Sequence, residues 1–98
     1  MAAIDIGTLI TRSPEIREGR PRIDGTGVTV HRIALWYKLG YNPEEIVSQI
    51  PHLTIAQVFA ALTYYHANRD EIEADLAADE AEADVLEQEY LQGSKRAS

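Results

Sequence analysis

The chain has no cysteine, so disulfide frameworks and thiolate metal sites are excluded and nothing calls for an oxidising compartment. No stretch approaches the roughly 18 to 20 apolar residues of a membrane span. The N-terminal Met-Ala-Ala-Ile-Asp-Ile-Gly also lacks the basic and apolar segments of an export signal. The expectation is a soluble cytoplasmic protein. Neither proline nor glycine occurs between Pro51 and Gly93, and no basic residue occurs between Asp70 and Glu89. The first absence permits long helices, and the second leaves an almost purely acidic one.

What is present divides by charge. Residues 1 to 40 carry a net +2, whereas the remainder carries −9, so the overall −7 averages two unlike surfaces. That asymmetry points to two different partners. At 98 residues the chain has room for one small domain with a modest core plus a tail.

Up to about Val30 the sequence is punctuated by Gly7, Pro14, Gly19, Pro21, Gly25 and Gly27. Short β-compatible pieces, Thr8 to Arg12, Arg22 to Asp24 and Val28 to Val30, predict strands and turns there, with Asp24-Gly25 as a turn. From His31 the apolar period becomes helical, through Ile33, Trp36, Tyr37 and Leu39 to a C-terminal glycine at Gly40. Asn42 followed by Pro43, Glu44 and Glu45 starts a second helix, whose buried side chains are Ile46, Val47 and Ile50 and which Pro51 stops.

A third helix opens with Thr54 as N-cap, Gln57 completing a capping box, and Leu53 placed to staple against Val58. Its apolar positions are Ile55, Val58, Phe59, Leu62 and Tyr65. Three short helices so connected outline a helix-turn-helix unit. Their seam can be extended through Ile72, Leu76, Asp79, Ala83, Leu86 and Tyr90. One unbroken helix from Ile55 to Gln92 would run about 57 Å, too long for a domain of this size to cover. A break at Asn68 followed by a separate acidic helix is preferred, with Asn68 to Glu71 as a second capping box. The boundaries expected are 1–68 for the β-element and helix-turn-helix, 69–92 for the acidic amphipathic helix, and 93–98 for a disordered tail. The fold class is mainly α: a short N-terminal β-element, a three-helix homeodomain-like module and a C-terminal acidic helix.

Catalytic signatures are missing: no phosphate loop, no nucleophile elbow, no acid/base pair set in a motif. No catalytic residue and no cofactor are expected. His66, Asp70 and Glu73 would share a face of an unbroken helix and could hold a divalent ion. A solvated helix face is the stronger reading, and no metal is expected. His31 and His52 are read as ordinary positions near helix ends.

Nucleic-acid binding has better support. If Ile55, Val58, Phe59 and Leu62 point inward, then Gln57, Ala61, Tyr64 and Asn68 make the outward stripe of the third helix, below Thr54. Gln and Asn suit adenine edges, Ala a thymine methyl, and Tyr a phosphate. Arg20, Arg22 and Arg32 are the candidate contacts outside that helix. Against this stands the scarcity of Lys and Arg on the helix itself. A dimer interface through Ala60, Ala61 and Tyr64 has nearly equal weight.

The runs Ile10 to Ile16, Gly19 to Thr26, Val28 to Val30, Leu39 to Ile46 and Ile50 to Thr54 together resemble the bacterial family known as domain of unknown function 433. The resemblance covers about residues 8 to 68 in order and at the expected spacing. It implies a short β-element followed by a homeodomain-like helix-turn-helix. It also implies an antitoxin of a type II toxin-antitoxin pair, acting against a PIN-like ribonuclease. The usual Gly-Thr-Arg is Gly25-Thr26-Gly27 here, and an aromatic usual before Pro-His-Leu is Ile50. The acidic tail lies outside the resemblance. Its incomplete stripe and like-charged flanks leave it poorly self-supporting and in need of a partner. Ile72, Leu76, Leu86 and Tyr90 are the expected toxin contacts, operator DNA the second partner, and a homodimer the expected state.

Overall fold

The computed structural model describes residues 6–97, with side chains over 7–92. It is mainly helical with a small two-stranded element: β1 (Ile10–Thr11), β2 (Arg22–Ile23), α1 (Val30–Lys38), α2 (Pro43–Gln49), α3 (Ile55–Ala67) and α4 (Arg69–Ala97). β1 and β2 pair antiparallel, Ile10 opposite Ile23 and Thr11 opposite Arg22. The third expected strand is not formed. Thr29 makes a single bridge to Arg22, and its hydroxyl then accepts from the Arg32 amide as the N-cap of α1. A residue committed to capping cannot extend a ladder. The turn at Asp24-Gly25 is present, with Gly25 at φ +78°, where a side chain would be strained, and Thr26 N donating to Ile23 O.

The helix boundaries follow the cap chemistry. α1 ends at Lys38, and Gly40 at φ +102° takes the left-handed position that releases the chain. α2 has the reciprocal capping box between Asn42 and Glu45, with Pro43 at its first position, and α3 has the same device between Thr54 and Gln57. Leu53 and Val58 are both buried beside that cap.

A single core joins these elements: Ile23 from β2, Val30 and Ile33 from α1, Ile46 from α2, Ile50 and Leu53 from the connection, and Val58, Leu62 and Tyr65 from α3. α4 contributes Ile72, which is fully buried, with Leu76 packed at the edge. The inward face of α3 differs from the expected one at Ile55, Phe59 and Ala61. Ile55 and Phe59 are 40% and 52% exposed, while Ala61 is fully buried. The helix is turned so that small Ala61 allows close approach of its neighbours, and the larger Phe59 stays outside.

The break between α3 and α4 falls at Asn68, whose φ −127° and ψ 39° leave the helical region for one residue. The expected capping box does not form. Asn68 N donates back to the carbonyls of Tyr64 and Tyr65, its Nδ2 donates to Tyr64 O, and Glu71 turns instead to Arg12. The Asn68 side chain therefore closes α3, while its backbone carbonyl accepts from Ile72 N and starts α4. At its far end α4 continues through 93–97, a stretch expected as a tail. Gly93 costs a helix only about 1 kcal/mol, unlike a proline. Ser98 and the side chains beyond Gln92 lie outside the described residues.

Candidate protein-interaction surface

The acidic helix consists of two unlike halves. In the first, Glu71, Asp75 and Asp79 recur every fourth residue, so they form one row beside the apolar pair Ile72 and Leu76. Each carboxylate of that row meets a basic group of the N-terminal part. Glu71 accepts from Arg12 at 2.6 Å, Asp75 lies 2.8 Å from His31 Nε2, and Asp79 takes a bidentate fork from Arg20 at 2.8 Å. Glu73, about half a turn around the helix from that row, accepts from Lys38 at 2.6 Å and from the Tyr65 hydroxyl. Lys38 and that hydroxyl hold Glu73 below the ordinary carboxylate range, and the Arg20 fork does the same for Asp79.

Magnitudes decide which contacts anchor the half-helix. Burying Ile72 is worth about 1.5 to 3 kcal/mol. Each exposed ion pair contributes on the order of 0 to 1 kcal/mol. The apolar contacts thus hold α4 down, and the pairs fix its register along α1 and the β-element. Asp79, which interrupts the apolar seam in the sequence, is the last described residue of α4 with a hydrogen bond to the N-terminal part.

From Glu80 to Gln92 every residue is exposed. This half rises about 20 Å at 1.5 Å per residue and carries Val85, Leu86, Tyr90 and Leu91 at 56, 58, 75 and 46% exposure. It also carries five carboxylates, at 80, 82, 84, 87 and 89, and no base.

The residues expected to touch a toxin are consequently split. Ile72 belongs to the core and cannot reach a partner, Leu76 is half-covered, and Leu86 and Tyr90 stand free. The expected DNA contacts are scattered as well. Ala61 is fully buried and Arg22 only 8% exposed, its guanidinium spent on Thr26 O and the Ser13 hydroxyl. Neither faces a groove. Arg20 is held by Asp79, Gln57 and Thr54 by their mutual cap, Asn68 by the Tyr64 carbonyl, and Tyr64 packs against the core with its hydroxyl accepting from Arg12. Arg32 is exposed. The outward stripe of α3 is instead Ile55, Phe59, Thr63 and His66, without a Lys or Arg.

Two readings weighed as alternatives in the sequence are also affected by the geometry. The dimer surface through Ala60, Ala61 and Tyr64 is closed, because both alanines are buried within one chain. Of the His66, Asp70 and Glu73 grouping, His66 and Asp70 line one shallow depression across the turn at Asn68, while Glu73 turns to Lys38 and Tyr65. Among the described residues no group of three or more His, Asp or Glu is placed to hold a metal ion, and no helix is long and apolar enough to cross a membrane. His31, read as ordinary, is nearly fully buried and couples α1 to α4. At Gly27, where the resemblance leads one to expect an arginine, the Arg17 guanidinium lies against the backbone and donates from Nε to Gly27 O at 3.1 Å. Arg17 and Glu18 both hold positive φ, 51° and 59°, to bring it there.

The fold and this surface define a small helical module with a short strand pair and a projecting acidic helix. Residues 10–65 match the family described as "Protein of unknown function (DUF433)", and the chain belongs to that family. Among solved structures it is similar to the crystal structure of a DUF433 member protein from Anabaena variabilis ATCC 29413, at 27% identity and a TM-score of 0.67. That similarity covers 71% of this chain and 69% of the other. No curated protein matches the chain.

Proposed function

We propose that this protein is a non-catalytic binding protein of the antitoxin type, whose α4 beyond Asp79 occupies the surface of a partner with a basic face. One observation carries the reading: a continuous helical half, exposed at every position, that combines four large apolar side chains with five carboxylates and no base. A helix of this kind fits the helix-in-groove mode, where apolar anchors supply affinity and charge supplies direction and rate. A PIN-like ribonuclease toxin suits it, because the carboxylates would oppose the basic surface that holds RNA and so exclude substrate. Leu86 and Tyr90 are the anchors.

Operator binding draws less support. Of the proposed DNA contacts Arg32 alone is an exposed base without a side-chain partner among the described residues. The outward stripe of α3, which has exposed Ile55 and Phe59 and no Lys or Arg, favours a second reading, an interaction module that does not read DNA.

The test is capture of the proposed partner, tried with the product of the neighbouring reading frame, by the full chain and by Leu86→Asp with Tyr90→Asp. The account expects affinity to fall at least about tenfold in the double variant, the loss typical of truncated anchors, with an unchanged melting curve. Undiminished capture would remove the distal half of α4 from the interface. Upstream DNA, titrated across salt, separates the two readings: retention that weakens steeply with salt supports operator binding, and none supports the interaction module.

A further inference from the structure

Between α1 and the first half of α4 lies an open groove of about 630 Å³. Leu35, Leu76 and Ala77 form its apolar floor, and Arg32 and Lys38 stand on its rim. Leu35 is 48% exposed, and Leu39, one turn further along α1, is 70% exposed. Arg20 and Lys38 already answer Asp79 and Glu73, which leaves the Arg32 guanidinium as the base without a side-chain partner among the described residues. Glu73, Asp79 and Glu80 line the groove as well; with the first two paired, it presents leucines between the Arg32 guanidinium and the Glu80 carboxylate, both free among the described residues.

The chain also carries the complement of that surface. On the distal half of α4, beyond the Glu80 that still lines the groove, Asp84, Glu87 and Leu91 recur at helical spacing along one side, with Tyr90 next to them. Tyr90 and Leu91 are 75% and 46% exposed. These two surfaces cannot meet within one molecule. The groove is built on α4 itself around Glu73 to Glu80, and the helix runs on from there without a break, carrying residues 80–92 away.

We infer that the distal half of α4 docks in the α1/α4 groove of a second copy, Tyr90 and Leu91 on Leu35 and Leu39, and Asp84 and Glu87 toward Arg32. A two-fold axis makes the exchange reciprocal, so each copy gives one helix and receives one, and the buried area is doubled. The apolar contacts supply the affinity. The charge pairing orients the helix and makes association sensitive to salt. The docked helix is the same one assigned above to a partner, so a partner and a second copy compete for it. The inference rests on the groove and its complement, and not on the partner reading.

The test is the mass of the full chain in solution, by light scattering and sedimentation equilibrium. One variant disables the groove, Leu35→Asp with Leu39→Asp; the other disables the helix, Tyr90→Asp with Leu91→Asp. All four positions are exposed, and circular dichroism checks that folding is kept. The wild type is expected as a dimer that loosens with salt, and each variant alone as a monomer at the same concentration. An equal mixture is expected to regain a dimer, because one groove and one helix remain intact. Arg32→Glu alone is expected to raise the dimer dissociation constant about tenfold, and it gives the same answer should the groove variant unfold. A monomeric wild type, a groove variant that dimerises as tightly as wild type, an Arg32→Glu chain with unchanged affinity, or a mixture that stays monomeric each overturns the inference. The two proposals fail separately: partner capture by the groove variant is expected to persist, and its loss would count against the partner reading while the dimer result stands.

Discussion

At Ile72 the acidic segment joins the core, and that one side chain accounts for much of the difference between a free tail and a fixed helix. Ile23, Ile33 and Tyr65 of the same core are fully or nearly fully buried, so little slack is available to fill a void. Ile72→Ala is expected to cost about 2 to 5 kcal/mol in urea unfolding, against much less for half-exposed Leu76→Ala. Equal, small effects at both sites would mean that α4 is not packed as described. Charge at Glu73 and Asp79 gives a second expectation. Lys38 with Tyr65, and the Arg20 fork, lower the two carboxyl pKa values from the ordinary 4.5 and 3.8. A carboxyl whose folded value lies below its unfolded one adds stability that is complete above the unfolded value and is lost as pH falls through the folded value. The melting temperature is thus expected to fall as pH drops below 4.5, and Glu73→Gln with Asp79→Asn to flatten that fall. A double variant with the wild-type slope would contradict it. None of these pairings was legible residue by residue. The bases at Arg12, Arg20, His31 and Lys38 and the acids at Glu71 to Asp79 are 35 to 59 positions apart, and nothing local specifies their meeting.

Among the elements, legibility follows how local the determining chemistry is. The starts of α2 and α3 could be read because each rests on a capping box within four residues, Asn42 to Glu45 and Thr54 to Gln57. The rotation of α3 could not. Phe59 and Ala61 are both apolar, and only the arrival of α1, α2 and α4 decides which is covered. The third strand failed because Thr29 is equally suited to a ladder and to a cap, and the start of α1 won. The same contrast applies to α4, whose distal surface was readable as an amphipathic pattern while its proximal docking was not. Two truncations separate the halves. Ending the chain after Arg69 deletes Ile72, the three Arg and Lys ion pairs and the His31–Asp75 contact, so its melting temperature is expected to fall by many degrees. Ending it after Glu80 keeps every one of those contacts and is expected to leave the melting temperature within a few degrees of wild type. Equal melting by both shortened chains would show that the first half of α4 does not belong to the folded unit.

For the whole molecule, the charge division seen in the sequence is largely resolved inside the fold. The basic N-terminal part is answered by the first acids of α4, and the negative charge left over is concentrated on the 13 residues from Glu80 to Gln92. That arrangement explains why the basic side offers so little to DNA: Arg12, Arg20 and Lys38 already have carboxylate partners, and Arg22 is buried. It also concentrates the expectation of a binding partner on one short helical projection. The central claim is that α4 changes role at Asp79, from part of the core to a surface that binds another protein. The most direct measurement is capture of the proposed partner, tried with the product of the neighbouring reading frame, by the intact chain and by the chain ended after Glu80, each checked by thermal melting. The account predicts that the shortened chain melts like the intact one and captures nothing. A shortened chain that stays folded and still captures the partner would contradict it.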